Sequence, residues 1–212
     1  MNENIRNMLL WGIVMTLGDT DIKIRILLAA KKLFAQYGFE KTTVRQICEE
    51  AGVNIALVSY HFGGKENMFG ALFDHFFPND QLSKIDPTLD PAGGVRLIVS
   101  EVTKFRYNDY QLIGIIQQEI IMDTERIQKI RQHVMPIWLR LRSWLEQGRE
   151  QGIFQFHSLD TALMSIVGTL LFHRHTKYWS TLFENTQPPM EDMIEDMTVF
   201  ILGGLQYKLN RL

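Results

Sequence analysis

Between Thr43 and Lys65 the chain carries side chains suited to meeting a nucleic-acid duplex. Thr43 and Ser59 bring hydroxyls, Arg45 a guanidinium, and Ile55 and Ala56 compact apolar surface. Hydroxyl and guanidinium donors reach phosphate oxygens or base edges. Compact apolar groups suit thymine methyls and let a backbone approach closely. Thr43 also stands at an expected helix start, where free N–H groups add positive potential toward a phosphate.

Such contacts need rigid elements to aim them, and the spacing predicts two short helices. The first is Val44 to Glu50, with Thr43 as its N-cap. Ala51-Gly52-Val53 is a tight turn, with Gly52 suited to a left-handed backbone. Asn54 caps the second helix, Ile55 to Phe62. Val44, Ile47, Cys48, Val53, Leu57 and Val58 fall at spacings that pack the helices on each other. Ile55, Ala56, Ser59, Tyr60 and His61 are left facing outward. On spacing alone two readings stand: a helix-turn-helix whose second helix enters the major groove, and a plain αα-hairpin.

Residues outside the pair speak to that choice. Ala29-Ala30, Leu33-Phe34, Tyr37-Gly38-Phe39, Thr42-Thr43-Val44, Ile47, Ala51-Gly52-Val53, Tyr60-His61-Phe62, Lys65-Glu66 and Phe69 together resemble the N-terminal domain of the tetracycline-repressor (TetR-like) family of transcriptional regulators. The likeness covers residues 20 to 77 and does not extend over the C-terminal two-thirds. It implies phosphate contacts from Tyr60 and His61 and a phosphate-clamping role for Lys65. Ser59 stands where the family often has tyrosine, and Cys48 where it usually has alanine. The first departure puts one phosphate contact in question; the second changes little.

Bulk properties agree with a globular regulator. The 212 residues are 46% hydrophobic, enough for a sizeable core in one or two domains. Net charge is −2, which argues against a non-specific nucleic-acid coat protein. Residues 21 to 77 hold seven Lys/Arg and six Asp/Glu, so a dimer is needed to double the few phosphate contacts, and the salt dependence should be modest. The single cysteine, Cys48, allows no internal disulfide and fits a reducing cytoplasm. Its simplest role is a small buried residue. No nucleotide-binding, hydrolase-elbow or zinc-protease motif occurs, so neither an enzyme nor a cofactor is expected.

The rest of the chain reads as helix throughout. Residues 1 to 18 hold an apolar run, Met8 to Leu17, too short to span a bilayer. It is read as a packed extension or as a stretch upstream of a true start at Met15, with residues 1 to 14 outside the native protein in the second case. A helix over Asp21 to Tyr37 and another over Lys65 to Phe77 complete the head, residues 19 to 77. Prolines from Pro78 to Pro91 mark the boundary of a second domain, 78 to 212. Its expected helices are Gly94 to Arg106, Asn108 to Asp123, Glu125 to Gly148 or Gly152 with a bend at Pro136, Leu159 to Leu182, and Met190 to Lys208. The fold class is all-α: a helix-turn-helix head and a C-terminal helical bundle for ligand binding and dimerisation.

Two features of the bundle bear on function. Ala162, Ser165, Gly168 and Thr169 form a stripe of small residues, and Met193, Met197 and Ile201 form an apolar face on the last helix. Two such helices per subunit suit a four-helix homodimer interface, and equally suit capping of the subunit's own core. Phe105, Tyr110, Gln111, Gln118, Trp138, Phe172 and His173 mix large apolar walls with a few polar groups. The resemblance implies a small-molecule pocket in this region, here for an apolar or aromatic effector. His173 and His175, at i and i+2 on a helix, point to different sides and make no metal site.

The expected function is sequence-specific binding of double-stranded operator DNA by a cytoplasmic homodimer, with repression released by an effector. No stable membrane insertion is expected. The alternatives are a DNA-binding dimer controlled by a protein partner, and a helical ligand-binding protein that no longer binds DNA.

Overall fold

The computed structural model describes residues 21–78, 89–172, 181–182 and 188–207. The N-terminal extension, most of the proline-marked boundary, and His173 and His175 lie outside the described residues. Among those described there are nine helices and no strand. They are α1 (residues 21–37), α2 (Val44–Ala51), α3 (Ile55–Phe62), α4 (Lys65–Phe76), α5 (Pro91–Asn108), α6 (Tyr110–Met122), α7 (Ile127–Glu150), α8 (Leu159–Leu171) and α9 (Met190–Gly204).

The helices group into two compact units. One comprises the described residues up to Phe77 together with Gly114–Ile130. The other comprises Pro78–Ile113 and Arg131–Leu212. A single division at residue 78, as drawn from the prolines, does not anticipate the return of Gly114–Ile130 to the first unit.

In the first unit Ile26, Ala30, Phe34, Ile47, Val58, Phe69 and Phe73 are buried. Each large apolar side chain withdrawn from water here contributes roughly 1.5–3 kcal/mol. The centre is aromatic: Phe39 lies 5.1 Å from Phe34 and 5.4 Å edge-on to Phe69, centroid to centroid. These separations fall in the favourable range for ring pairs.

The second unit is built on α5, which packs against α8 and α9. Asp90 caps α5 by accepting from the Gly93 N–H at 2.9 Å, and Pro91 follows as its first residue. The helix therefore starts one turn before the expected Gly94. Gly94 itself is a packing requirement. A Cβ there would stand 2.2 Å from a ring carbon of the buried Trp144.

α8 ends at Leu171, well short of the expected Leu182, with Phe172 in extended conformation. The reason comes from another helix. Arg106 of α5, only 5% exposed, donates through Nη1 to the carbonyls of Leu170 (2.9 Å) and Phe172 (3.3 Å). A buried guanidinium thus satisfies carbonyls that a further helical turn would have used. The negative end of the α8 dipole faces the same charge. α7 runs through Pro136 without interruption, and α9 ends at Gly204, earlier than expected.

Candidate DNA-binding site

The local chemistry of the α2–α3 pair follows from its caps. Thr43 is in extended conformation, and its hydroxyl oxygen accepts from the Gln46 N–H at 3.2 Å. The Gln46 side chain accepts in return from the Thr43 N–H at 2.8 Å. This reciprocal box starts α2. Gly52 ends it with φ 64° and ψ 42°, where a side chain would be strained. Asn54 accepts from the Ala56 N–H at 2.9 Å and starts α3. Ile47, Cys48 and Val58 are buried between the helices.

The outward row of α3 is as expected from spacing. Ile55 is 54% exposed and Tyr60 77%, with Ala56 and Ser59 also exposed. Half-buried His61 stacks edge-on against Tyr60 at 5.0 Å. The Arg45 side chain is exposed and pairs through Nε with Glu49 at 3.0 Å, leaving its Nη groups toward solvent. Thr43 is exposed, but its hydroxyl donates to Gln46 Oε1 at 3.0 Å. What α2 presents to an anion is therefore chiefly the free N–H groups of its first turn.

Lys65 is placed differently from a free surface cation. Its ammonium donates to the carbonyls of Phe39 and Thr42, both at 2.9 Å, and lies 4.1 Å from the Phe39 ring centroid. Two of its three N–H donors thus hold the segment that leads into Thr43. Arg25 braces the other end of α2. Its Nη2 donates to Ala51 O at 2.6 Å and Gly52 O at 3.3 Å. Nothing local in the sequence reveals this role, since the carbonyl of Ala51 lies 26 residues away.

Residues 26–72 match the family described as bacterial regulatory proteins, tetR family. That match spans the segment from α1 into α4, which thus carries that family's domain. It is similar to the probable HTH-type transcriptional regulator YttP of Bacillus subtilis, 30% identical over 51% of this chain and 55% of YttP. It is also similar to the HTH-type transcriptional repressor NicS of Pseudomonas putida, 26% identical over 71% of this chain and 76% of NicS. The chain thus spans about half the length of YttP and three quarters of NicS. Among solved structures it is similar to HlyIIR, a hemolysin II transcriptional regulator, with 26% identity and a TM-score of 0.72. That likeness covers 90% of this chain and 99% of HlyIIR. The proteins matched are transcriptional regulators, not enzymes.

The residues expected to hold an effector are spread over both units. Gln118 belongs to the first, is exposed, and donates to Ala35 O at 3.2 Å. Phe105, Tyr110, Gln111, Trp138 and Phe172 belong to the second. Phe105, Gln111 and Trp138 are half-buried there, whereas Tyr110 and Phe172 are exposed.

The helices expected at a dimer interface enclose an apolar groove of about 780 Å³. Ala162, Ser165 and Thr169 of α8 line it, as do Val199, Phe200 and Ile201 of α9. Gly168 is exposed beside it, and Met193 is half-buried. Ile201 is only 4% exposed and packs within the chain's own core. The Met197 sulfur accepts from Thr103 Oγ1 and Arg106 Nη2, both at 3.4 Å. The large apolar groups that α9 shows to solvent are instead Val199 and Phe200. The stretch Val199 to Leu202 is apolar all round the helix, so periodicity could not say which side of it is the inner one.

Among the described residues no group of three or more His, Cys, Asp or Glu is placed to hold a metal ion. Among them, too, no helix is long and apolar enough to cross a membrane.

Proposed function

We propose that this tetR-family regulator is a cytoplasmic homodimer that binds a pseudopalindromic operator and represses transcription until an effector releases it. The observation that carries the reading is the exposed row Ile55, Ala56, Ser59 and Tyr60 on a helix fixed at both ends. In this reading α3 lies in the major groove. Ile55 and Ala56 meet thymine methyls, and Ser59 donates to a base or phosphate. Thr43, Arg45, Tyr60 and His61 serve the backbone, with the first-turn amides of α2. Lys65 gives its remaining N–H to a phosphate while holding the loop before α2.

A second copy of the chain covers the α8–α9 groove. Such an exposed apolar face suits self-association about a two-fold axis. It sets two α3 helices on half-sites roughly 34–36 Å apart, one turn of duplex. NicS, named as a repressor, supports repression as the direction of control. The effector is a small apolar or aromatic molecule held in the second unit by Phe105, Tyr110, Gln111, Trp138 and Phe172. It acts by favouring the form that does not bind DNA.

The test is selection of bound sequences from a random duplex pool, followed by salt titration of the winner against scrambled DNA. An enriched inverted repeat, bound far more tightly than scrambled DNA, is the expected result. Absence of enrichment at every salt concentration would remove α3 as a DNA reader.

A further inference from the structure

Arg126 lies far outside the helix-turn-helix in sequence, yet it sits within the same compact unit. Its guanidinium carbon is 3.9 Å from the Phe39 ring centroid and 5.9 Å from that of Phe69. Nη1 is 3.0 Å from a Glu40 oxygen and 3.7 Å from a Glu66 oxygen, and Nε is 3.1 Å from Glu119 Oε2. The side chains of Arg126 and Glu119 are 12% and 6% exposed. The Thr124 hydroxyl donates to the same Glu119 oxygen. Arg126 is thus stacked on one ring and paired with three carboxylates from three parts of the chain.

The position of Phe39 gives this cluster its consequence. Phe39 opens the segment that ends at Thr43, the N-cap of α2. Lys65 holds that segment by its carbonyls, and the Thr42 hydroxyl ties it to Gly38 O at 2.8 Å and to Leu33 O of α1 at 3.3 Å. Arg126 holds it from the side by the Phe39 ring and the Glu40 carboxylate. Nearby, Lys129 donates to Glu66 O at 2.6 Å, so the strap that carries Arg126 is itself tied to α4. A planar guanidinium lays its flat face on a ring and donates along its edge in a fixed fork, a geometry that an ammonium lacks.

We propose that Arg126 is a positioning residue for operator binding. It fixes Phe39 to Thr42, and through them the first turn of α2, in the register that meets the phosphate backbone. Glu119 holds the guanidinium in place. This rests on α2 and α3 being the DNA-reading pair. Arg126 is too buried to serve as a phosphate contact itself.

The test uses the full chain and the operator selected above. Arg126→Gln removes the charge and leaves Glu119 buried without its partner, so it can also weaken the fold. The double variant Arg126→Gln with Glu119→Gln removes that complication, since both groups become neutral amides of similar size. The readouts are operator affinity, the slope of affinity against salt, and hydrogen exchange without DNA of the Thr43, Gln46 and Ile47 amides, which are hydrogen-bonded at the start of α2.

The double variant is expected to stay folded, bind about tenfold more weakly, and lose about one unit of salt slope per half-site. Its Thr43, Gln46 and Ile47 amides should exchange faster than in the wild type. Arg126→Lys, which keeps charge without the planar stack, should fall between. A folded double variant with wild-type affinity, slope and exchange would overturn the proposal. So would weakened binding with unchanged slope and exchange, which would mark a merely structural residue. If the wild-type chain selects no operator, the DNA reading fails, and the exchange measurement still decides whether Arg126 orders α2.

Discussion

α3 and α9 each leave a face uncovered by their own unit, and the two faces have opposite chemistry. On α3 a single large aliphatic group, Ile55, stands beside the small Ala56 and Ser59 and beside Tyr60, which ends in a hydrogen-bonding atom. On α9 the first two turns expose the acids Glu191, Asp192, Glu195 and Asp196, but the stretch above the groove lined by Ala162 and Ile166 exposes Val199 and Phe200, which are wholly apolar. A hydrated polyanion is met by dispersed polar groups and compact side chains, because its own water and counterions must be replaced contact by contact. A second protein surface is met by apolar area, because water leaves both sides at once. The same helical scaffold therefore offers two kinds of interface, told apart by what projects and not by the backbone.

The comparison breaks most sharply at Phe200. Phe200→Asp places a carboxylate on the apolar face without touching α3. Sedimentation should show monomers at micromolar concentration, and operator affinity should fall on the order of 100-fold as the second half-site is lost. A dimer with unchanged affinity would mean the copies meet elsewhere.

Gly94→Ala tests whether the second unit's face depends on its interior. The new Cβ meets the buried Trp144 ring, and overpacking of this kind costs roughly 1–3 kcal/mol. Urea unfolding should show the loss. Tyr60→Ala sharpens the other side. It should weaken operator binding about tenfold while leaving the urea midpoint unchanged, since the side chain is mostly exposed.

Thr43→Ala should do both on a smaller scale. Losing the reciprocal cap with Gln46 costs about 1 kcal/mol of stability, and operator affinity should fall with it as the first turn frays. The smallest effect concerns Cys48. Burial pushes its thiol above the ordinary value of 9.0, and the Glu49 charge adds to the shift. The folded state then keeps a proton that the unfolded chain releases. Stability is fully present below the unfolded value and declines as pH rises above about 9. A stability profile that Cys48→Ala leaves unchanged in that alkaline range would count against it.

How much was legible beforehand depends on distance along the chain. The cap at Thr43, the left-handed Gly52, the cap at Asn54 and the outward row of α3 were all readable. Each rests on bonds between residues two to four apart, which side-chain type and spacing dictate. The end of α8 was not readable. It depends on a guanidinium from α5, donating to a carbonyl 64 residues away. Lys65 was read as a phosphate clamp because the family resemblance implies that role. The carbonyls that engage it come from a loop more than twenty residues earlier.

The sequence alone determined that this chain is helical, that its α2–α3 pair has the caps and outward residues of a DNA reader, and that its head resembles the TetR-like family. Those properties are local, and local free energies of capping and periodicity add up without knowledge of the fold. Only the tertiary structure decided which face of α9 is inner, that Gly114–Ile130 belongs with the head, and that Arg126 and Lys65 grip the segment before α2. Those outcomes depend on which charges and rings meet across long loops, and a buried charge takes its role from the partners that surround it.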